Sequence, residues 1–226
     1  MTEVGKQDGV LDNVRRALGR TTTVAPVPLE DFAAPLAESD PDAVLKRFID
    51  EVQLVRGAVH LCASNDLVPT ILQIQPPEAG EIAISGSHLL SDLAVERELV
   101  ANGLSVFNTA GVDHEKLVTR LAGAAAGITS VDYALAETGT LAVSSDEPAA
   151  LLVSLLPPVH IAILRRAQIF ASLDEVINGL GQESLEARAG GRSVSFITGP
   201  SRTSDVELVL SIGVHGPKEL HVIVVP

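Results

Sequence analysis

The chain is predicted to fold as an α/β protein: an open, mostly parallel sheet with flanking helices. Two observations predict it. Beyond residue 40, helical and extended apolar patterns alternate, the order that parallel strands with crossover helices require. Apolar residues make up 46% of the chain but aromatics only 3%, with no Trp. The core must therefore be built from Val, Leu, Ile and Ala, the composition of strands covered on both faces.

Taken in order, the elements begin with a helix at 8–20. Val10, Leu11, Val14 and Leu18 share one face of it, and Arg15 and Arg16 lie outside that face. Residues 21–41 contain Pro26, Pro28, Pro35 and Pro41, which no helix sustains, and read as a linker. The chain thus divides into an extension, 1–40, and a single α/β domain, 41–226. Within the domain the pattern predicts helices at 41–55 and 67–74, and strands at 58–63 and 81–85. A helix at 91–101, a strand at 104–107 and a small-residue helix at 114–126 follow, the last ended by Gly127. The second half reads as strands at 133–136, 140–144, 150–155, 160–164 and 193–198, with a helix at 173–180. Between 206 and 214 the apolar residues fit both periods; we read a short helix capped by Gly216, then a strand at 219–225.

Charge and cysteine usage narrow the function classes. With 16 Lys plus Arg against 29 Asp plus Glu, the net charge of -13 repels nucleic acid and anionic membrane surfaces. No apolar run is long enough to cross a bilayer, and the N-terminus has no basic segment followed by an apolar one. A cytoplasmic protein is the expectation. Cys62 is the only cysteine, so neither an internal disulfide nor a cysteine-ligated zinc or iron–sulfur site can be assembled by this chain alone. The six His show no metal-ligand spacing, and no metal site is expected. Walker A, G-x-S-x-G and G-x-G-x-x-G runs are absent as well.

Two segments carry the candidate chemistry. The first, Gly199-Pro200-Ser201-Arg202-Thr203-Ser204-Asp205, follows an apolar strand and precedes a segment with helical potential. Its turn residues, hydroxyls and single cation outline an anion cradle at a strand-to-helix junction, where backbone N–H groups converge. The same residues also suit a helix cap at Ser204 or Asp205 with Arg202 in an ion pair. The second, Ala136-Glu137-Thr138-Gly139-Thr140, puts a carboxylate between two strands. Glu137 there is either a general base, nucleophile or orienter, or a solvated side chain in a β-turn for which Gly139 supplies the backbone angles. His215 is a candidate for proton transfer. His160, before an apolar strand, reads as structural, and Arg165-Arg166 as an exposed ion-pairing patch.

Four ordered motifs closely resemble the lactate utilisation protein C family of the LUD-domain group. They are Asp132-Tyr133-Ala134-Leu135-Ala136-Glu137-Thr138-Gly139-Thr140-Leu141, Leu155-Leu156-Pro157-Pro158-Val159-His160, Ile197 to Glu207, and Gly213 to Val222. The resemblance implies a Rossmann-like fold akin to the sugar-phosphate isomerase, glucosamine-phosphate deaminase and CoA-transferase group. It further implies a part in oxidising L-lactate to pyruvate beside partner subunits that carry iron–sulfur clusters, with no cofactor in this chain. The resulting expectation is a non-redox component that binds a small carboxylate or other anion. Arg202 would pair the carboxylate, and Ser201, Thr203, Gly199, Asp205, Thr138, Gly139 and Thr140 would shape the site. Glu137 or His215 would accept a proton. The alternatives are an assembly protein for the iron–sulfur partners and a free-standing CoA-transferase-like or isomerase-like enzyme.

Overall fold

Asp40 opens the main unit as a helix cap. Its carboxylate accepts from the Asp42 N–H at 3.1 Å and Pro41 takes the first helical position, so helix α1 runs Pro41–Leu54. Val44, Phe48 and Val52 recur at four-residue spacing and form its buried stripe. The computed structural model describes residues 40–75, 80–144, 148–176, 194–204, 210–212 and 215–226, with Asn13, Arg16, Ala17 and Gly19. It divides into two compact units, 1–35 and 36–226. In the first, Asn13, Arg16 and Ala17 are helical, and Arg16 donates to Asn13 Oδ1 at 3.2 Å. The rest of the expected 8–20 helix and the Pro-rich stretch up to residue 39 lie outside the described residues.

After α1 come β1 (Ala58–Leu61), α2 (Leu67–Ile74), β2 (Ile82–Ile84), α3 (His88–Asp92), α4 (Val95–Ala101), β3 (Val106–Asn108), α5 (His114–Ala122) and β4 (Ala126–Ser130). The second half holds β5 (Tyr133–Leu135), β6 (Thr140–Ser144), α6 (Pro148–Leu155), β7 (Val159–Arg165), β8 (Ile169–Phe170), β9 (Val194–Ile197), β10 (Arg202–Ser204), β11 (Leu210–Ile212) and β12 (Glu219–Val225). Six strands form one all-parallel sheet in the order β1-β12-β7-β4-β2-β3. A smaller sheet, β8-β5-β6-β9, is antiparallel except for the β5/β8 pair.

Strand alternation splits the core between the two faces of the parallel sheet. Ile82, Ile84, Ile128, Ile161 and Ile163 pack with Leu67 and Ile71 of α2 and Val95 and Leu99 of α4. On the other face, Leu220, Val222 and Val224 of β12 pack with the α1 stripe and with Leu141 and Val143 of the small sheet. Ala83 and Phe107 there meet Leu121 of α5 and Val153 of α6. The expected open α/β sheet with flanking helices is the fold of the protein.

Four local expectations are corrected. The helix read over 114–126 ends at Ala122, and Ala126–Ser130 is a central strand between β2 and β7. Gly127 is no helix terminator: a Cβ on it would lie 2.1 Å from the Val153 carbonyl oxygen, so glycine lets α6 cross the strand closely. The strand read over 150–155 is that helix, α6, because an apolar run of this length has no period that separates a buried strand from a buried helix. The helix read over 91–101 is interrupted, with Ala94 at φ 50° between α3 and α4. Finally, Leu210–Ile212, inside the segment expected as a short helix before Gly216, is a strand paired antiparallel with Arg202–Ser204, and 205–209 and 213–214 lie outside the described residues. In the helix expected over 173–180, residues 173–176 are helical and 177–180 lie outside the described residues.

Candidate functional site

The acidic turn joins β5 to β6, and its parts serve different contacts. Glu137 Oε1 accepts from the Leu173 N–H at 2.8 Å, capping the start of the helical turn at 173–176. The hydroxyls of Thr138 and Thr140 are 2.7 Å apart, and that of Thr140 lies 2.8 Å from Thr198, which follows β9. Gly139 has φ +62°, and a Cβ there would stand 2.6 Å from the Val52 backbone nitrogen. Gly199 repeats the arrangement one helical turn later: φ is +77° and the nearest atom to a Cβ is the Val55 carbonyl oxygen, 2.7 Å away. Both motif glycines thus seat against the C-terminal end of α1, in a backbone conformation that disfavours other residues.

The loop after β9 does not lead into a helix. β9 lies in the small sheet, antiparallel to β6, and Arg202–Ser204 continues as a hairpin strand. The helix-dipole element of the anion cradle is therefore missing at Gly199. In its place the loop closes onto the segment before β12: the Ser201 N–H donates to the Pro217 carbonyl at 2.9 Å, and Gly216 packs on Ser201. Thr198, Gly199, Ser201 and His215 line a cavity of about 500 Å³, whose other walls include Phe196 of β9 and Leu155 of α6. His215 is exposed there. Glu137 is not part of this wall, so the two proposed proton acceptors do not share the cavity. For Arg202 and Thr203 the structure describes the backbone strand, and Asp205 lies outside the described residues.

Elsewhere, Thr129 Oγ1 meets His160 Nε2 at 2.9 Å in the core, and His160 Nδ1 is buried without a hydrogen-bond partner. Burial lowers the His160 pKa to about 4, keeping the ring neutral. On the edge of the parallel sheet, His60 Nε2 and His221 Nδ1 are 3.1 Å apart, and His221 Nε2 lies 3.3 Å from Glu219. Burial and the neighbouring His221 lower the His60 pKa. Burial raises the pKa of the Cys62 thiol, which makes it a poorer nucleophile and metal ligand. Arg166 pairs with Asp42, in keeping with the patch reading. Among the described residues no group of three His, Cys, Asp or Glu is placed to hold a metal ion, and no helix is long and apolar enough to cross a membrane.

Sequence reasoning missed a second concavity, of about 610 Å³, at the carboxyl ends of β2, β3 and β4. Ser85, Ser130 and Asp132 help to line it. The available signal was Ser85-Gly86-Ser87-His88: small polar residues immediately after an apolar strand.

An all-parallel six-stranded sheet with helices packed on both faces defines an open α/β protein. The LUD domain profile matches residues 45–225, and the chain belongs to the LUD-domain family. It is similar to lactate utilization protein C of Halalkalibacterium halodurans, 40% identical over 46% of this chain and 45% of that one. It is also similar to lactate utilization protein C of Bacillus velezensis, 25% identical over 95% of this chain and 93% of that one. The chain thus spans about half the length of the first relative and nearly all of the second. A crystal structure of a DUF162 family protein from Deinococcus radiodurans has the same fold, with a TM-score of 0.62, 23% identity, and coverage of 83% of this chain and 99% of that one.

Proposed function

We propose that this protein is a non-redox component of L-lactate utilisation that binds a small carboxylate in the cavity between α6, β9 and the loops at 199–201 and 215–217. The observation that carries the reading is the convergence of two distant family motifs on that cavity, joined by the Ser201 N–H to Pro217 hydrogen bond. The names of the relatives supply the metabolic setting. Ser201 and Thr198 offer hydroxyl donors and His215 an imidazole, and Arg202 enters the adjoining strand as the one cation of its motif. With Cys62 as the sole cysteine, electrons would pass through iron–sulfur partner subunits, and this chain would hold or position the acid.

Titration calorimetry with L-lactate and pyruvate on the wild type, Arg202→Ala and Ser201→Ala tests the reading. Binding that weakens in both variants supports it; equal binding by all three proteins removes the cavity from function.

A second reading, an assembly surface for iron–sulfur partners, is favoured by Phe196 and Leu155, which are 47% and 48% exposed at the cavity mouth. Large exposed apolar side chains lining one cavity suit a protein contact. Co-purification with the partner subunits, lost in Phe196→Ser while lactate binding persists, would favour this reading.

A further inference from the structure

Two histidines meet at the edge of the parallel sheet, outside both concavities described above. β1 is an edge strand and pairs with β12, Ala58 standing opposite His221 and His60 opposite Ile223. Val59 and Val222 pack in the core on the α1 face, whereas Cys62 and Ile223 pack in the core on the isoleucine face. Strand alternation therefore puts His60 and His221 together on the isoleucine face. Their rings stack with centroids 5.4 Å apart, and His60 Nε2 lies 3.1 Å from His221 Nδ1 across 161 residues of sequence. Residues 55–57 join β1 to α1, so the strand that the pair holds continues from the helix end that seats Gly139 and Gly199.

The order of protons along the pair is fixed from its outer end. His221 Nε2 lies 3.3 Å from Glu219 Oε2, and a carboxylate only accepts, so that nitrogen carries the hydrogen. His221 Nδ1 is then the acceptor and His60 Nε2 the donor, which leaves the His60 lone pair on Nδ1. Because His221 uses its two nitrogens in opposite directions, the three side chains form a line and surround no common point, in keeping with the lack of a three-residue metal group among the described residues. One added proton is tolerated, since a donor still faces an acceptor whichever ring takes it. A second is not: two imidazolium rings have only N–H donors, and two positive charges would stand at hydrogen-bond distance.

Little around the rings offsets a second charge. Their neighbours in the sheet include Ile161 and Ile223, and α2, which packs on this face, carries no ionisable side chain. Cys62 shares the face as a thiol whose pKa is raised by burial, with Asp66 near it. Lys218, next to Glu219, is exposed, and α1 with its charged residues packs on the opposite face. Glu219 itself is 64% exposed, so water weakens its hold on the charge. Burial, and then the neighbouring His221, lower the His60 pKa; the neutral ring's contribution is complete above pH 6.5 and is lost as pH falls below it.

We propose that His60 and His221 form a proton-operated latch on the sheet edge: with no more than one added proton they hold β1 against β12, and protonation of both rings releases β1 ahead of the rest of the sheet. A four-residue edge strand is the kind of element that opens locally at the lowest cost.

Amide hydrogen exchange on the full chain at pH 7 and pH 5 tests this, expressed as protection factors so that the pH dependence of the intrinsic rate cancels. The probe is the Cys62 N–H, bonded to the Val224 carbonyl of β12 at 3.2 Å; the control is the Val131 N–H, bonded to the Ile163 carbonyl of β7 at 3.0 Å. From pH 7 to pH 5, protection at Cys62 should fall about threefold to tenfold further than at Val131, the range that one hydrogen bond confers. His60→Gln keeps a donor for His221 Nδ1 but takes up no proton, and in it the two amides should change by the same factor. Circular dichroism establishes that the variant is folded. If it is not, nitrogen NMR titration of the rings in the wild type decides: the pair should take up its two protons in separate steps, the second below pH 6.5. Equal changes at Cys62 and Val131 in the wild type, a difference that persists in folded His60→Gln, or rings that titrate independently would each overturn the proposal. Lactate binding at Ser201 and Arg202 enters none of these readouts, so the two readings fail separately.

Discussion

The hydroxyls of Thr140 and Thr198 lie 2.8 Å apart although 58 residues separate them in sequence. With Thr138 they form a chain of three hydroxyls that ties the acidic turn to the loop bordering the cavity. Thr140 is 6% exposed, so its hydroxyl relies on these partners rather than on water. Thr140→Val should destabilise the protein by roughly 1–2 kcal/mol, as expected when a buried bond is broken and its partners are left unpaired. Thr140→Ser should restore most of the loss in urea unfolding. Equal stability of all three proteins would show that the hydroxyl chain contributes nothing.

Gly139 and Gly199 are predicted to tolerate no side chain. Both combine positive φ with a backbone atom of the last turn of α1 or of its cap residue, Val55, closer than 3.0 Å to a built Cβ. Gly103 is the control, with φ +86° and nothing within 4 Å. Gly103→Ala should cost about 1–2 kcal/mol from backbone conformation alone. Gly139→Ala and Gly199→Ala should cost more, roughly 2–5 kcal/mol, because overpacking against the helix adds to the same strain. Thermal melts of the three variants make the comparison, and equal losses would mean that α1 yields.

Glu137 can be separated into its possible roles. Glu137→Ala removes the acceptor for the Leu173 N–H and should cost about 1 kcal/mol, the usual size of a lost cap. Glu137→Gln keeps an acceptor oxygen but cannot serve as a base. A protein stable as Gln, unstable as Ala and unchanged in lactate binding by calorimetry identifies Glu137 as a cap; a Gln variant that is stable yet inactive in the assembled lactate-oxidising system identifies it as a base.

His160 predicts a pH dependence. Its folded pKa is lowered to about 4 by burial, against 6.5 for the exposed ring, so the unfolded chain takes up the proton first. The neutral ring contributes full stability above pH 6.5; this is lost as pH falls from 6.5 toward 4, with no further loss below. The total is roughly 3 kcal/mol, from the size of the shift. Urea unfolding at pH 7 and pH 5 measures it. In His160→Leu the part of the slope due to this ring should disappear whatever the variant's own stability, and an unchanged slope would exclude His160 as its source.

Much of the fold was legible in the sequence because the relevant signals are local. The stripe Val44, Phe48, Val52 defines α1 by spacing alone, and the Asp40-Pro41 pair marks its start. β7 and β12 are apolar runs with turn residues on either side, and the absence of Trp together with abundant Val, Leu, Ile and Ala indicated strands covered on both faces. The four family motifs were also visible as sequence, and two of them, Ile197 to Glu207 and Gly213 to Val222, meet at one cavity.

Other features depended on which elements pass one another. Gly127 reads as a helix end until α6 is seen crossing β4, and Ala150–Leu155 reads as a strand until that crossing makes it a helix. Gly199 to Asp205 reads as an anion cradle because an apolar strand precedes it and a segment with helical potential follows; only the pairing of Arg202–Ser204 with Leu210–Ile212 removes the helix junction. The crevice at Ser85 was invisible for the same reason. The residues Ser85, Asn108 and Asp132 become neighbours only through the order β4-β2-β3. Sequence by itself determined the α/β class, the aliphatic core and the exclusion of a cysteine-ligated cluster within the chain, since each follows from residue types and local spacing. Strand order decided where polar groups converge, because hydrogen bonding between distant strands, which local periodicity does not encode, fixes which loops share an edge of the sheet.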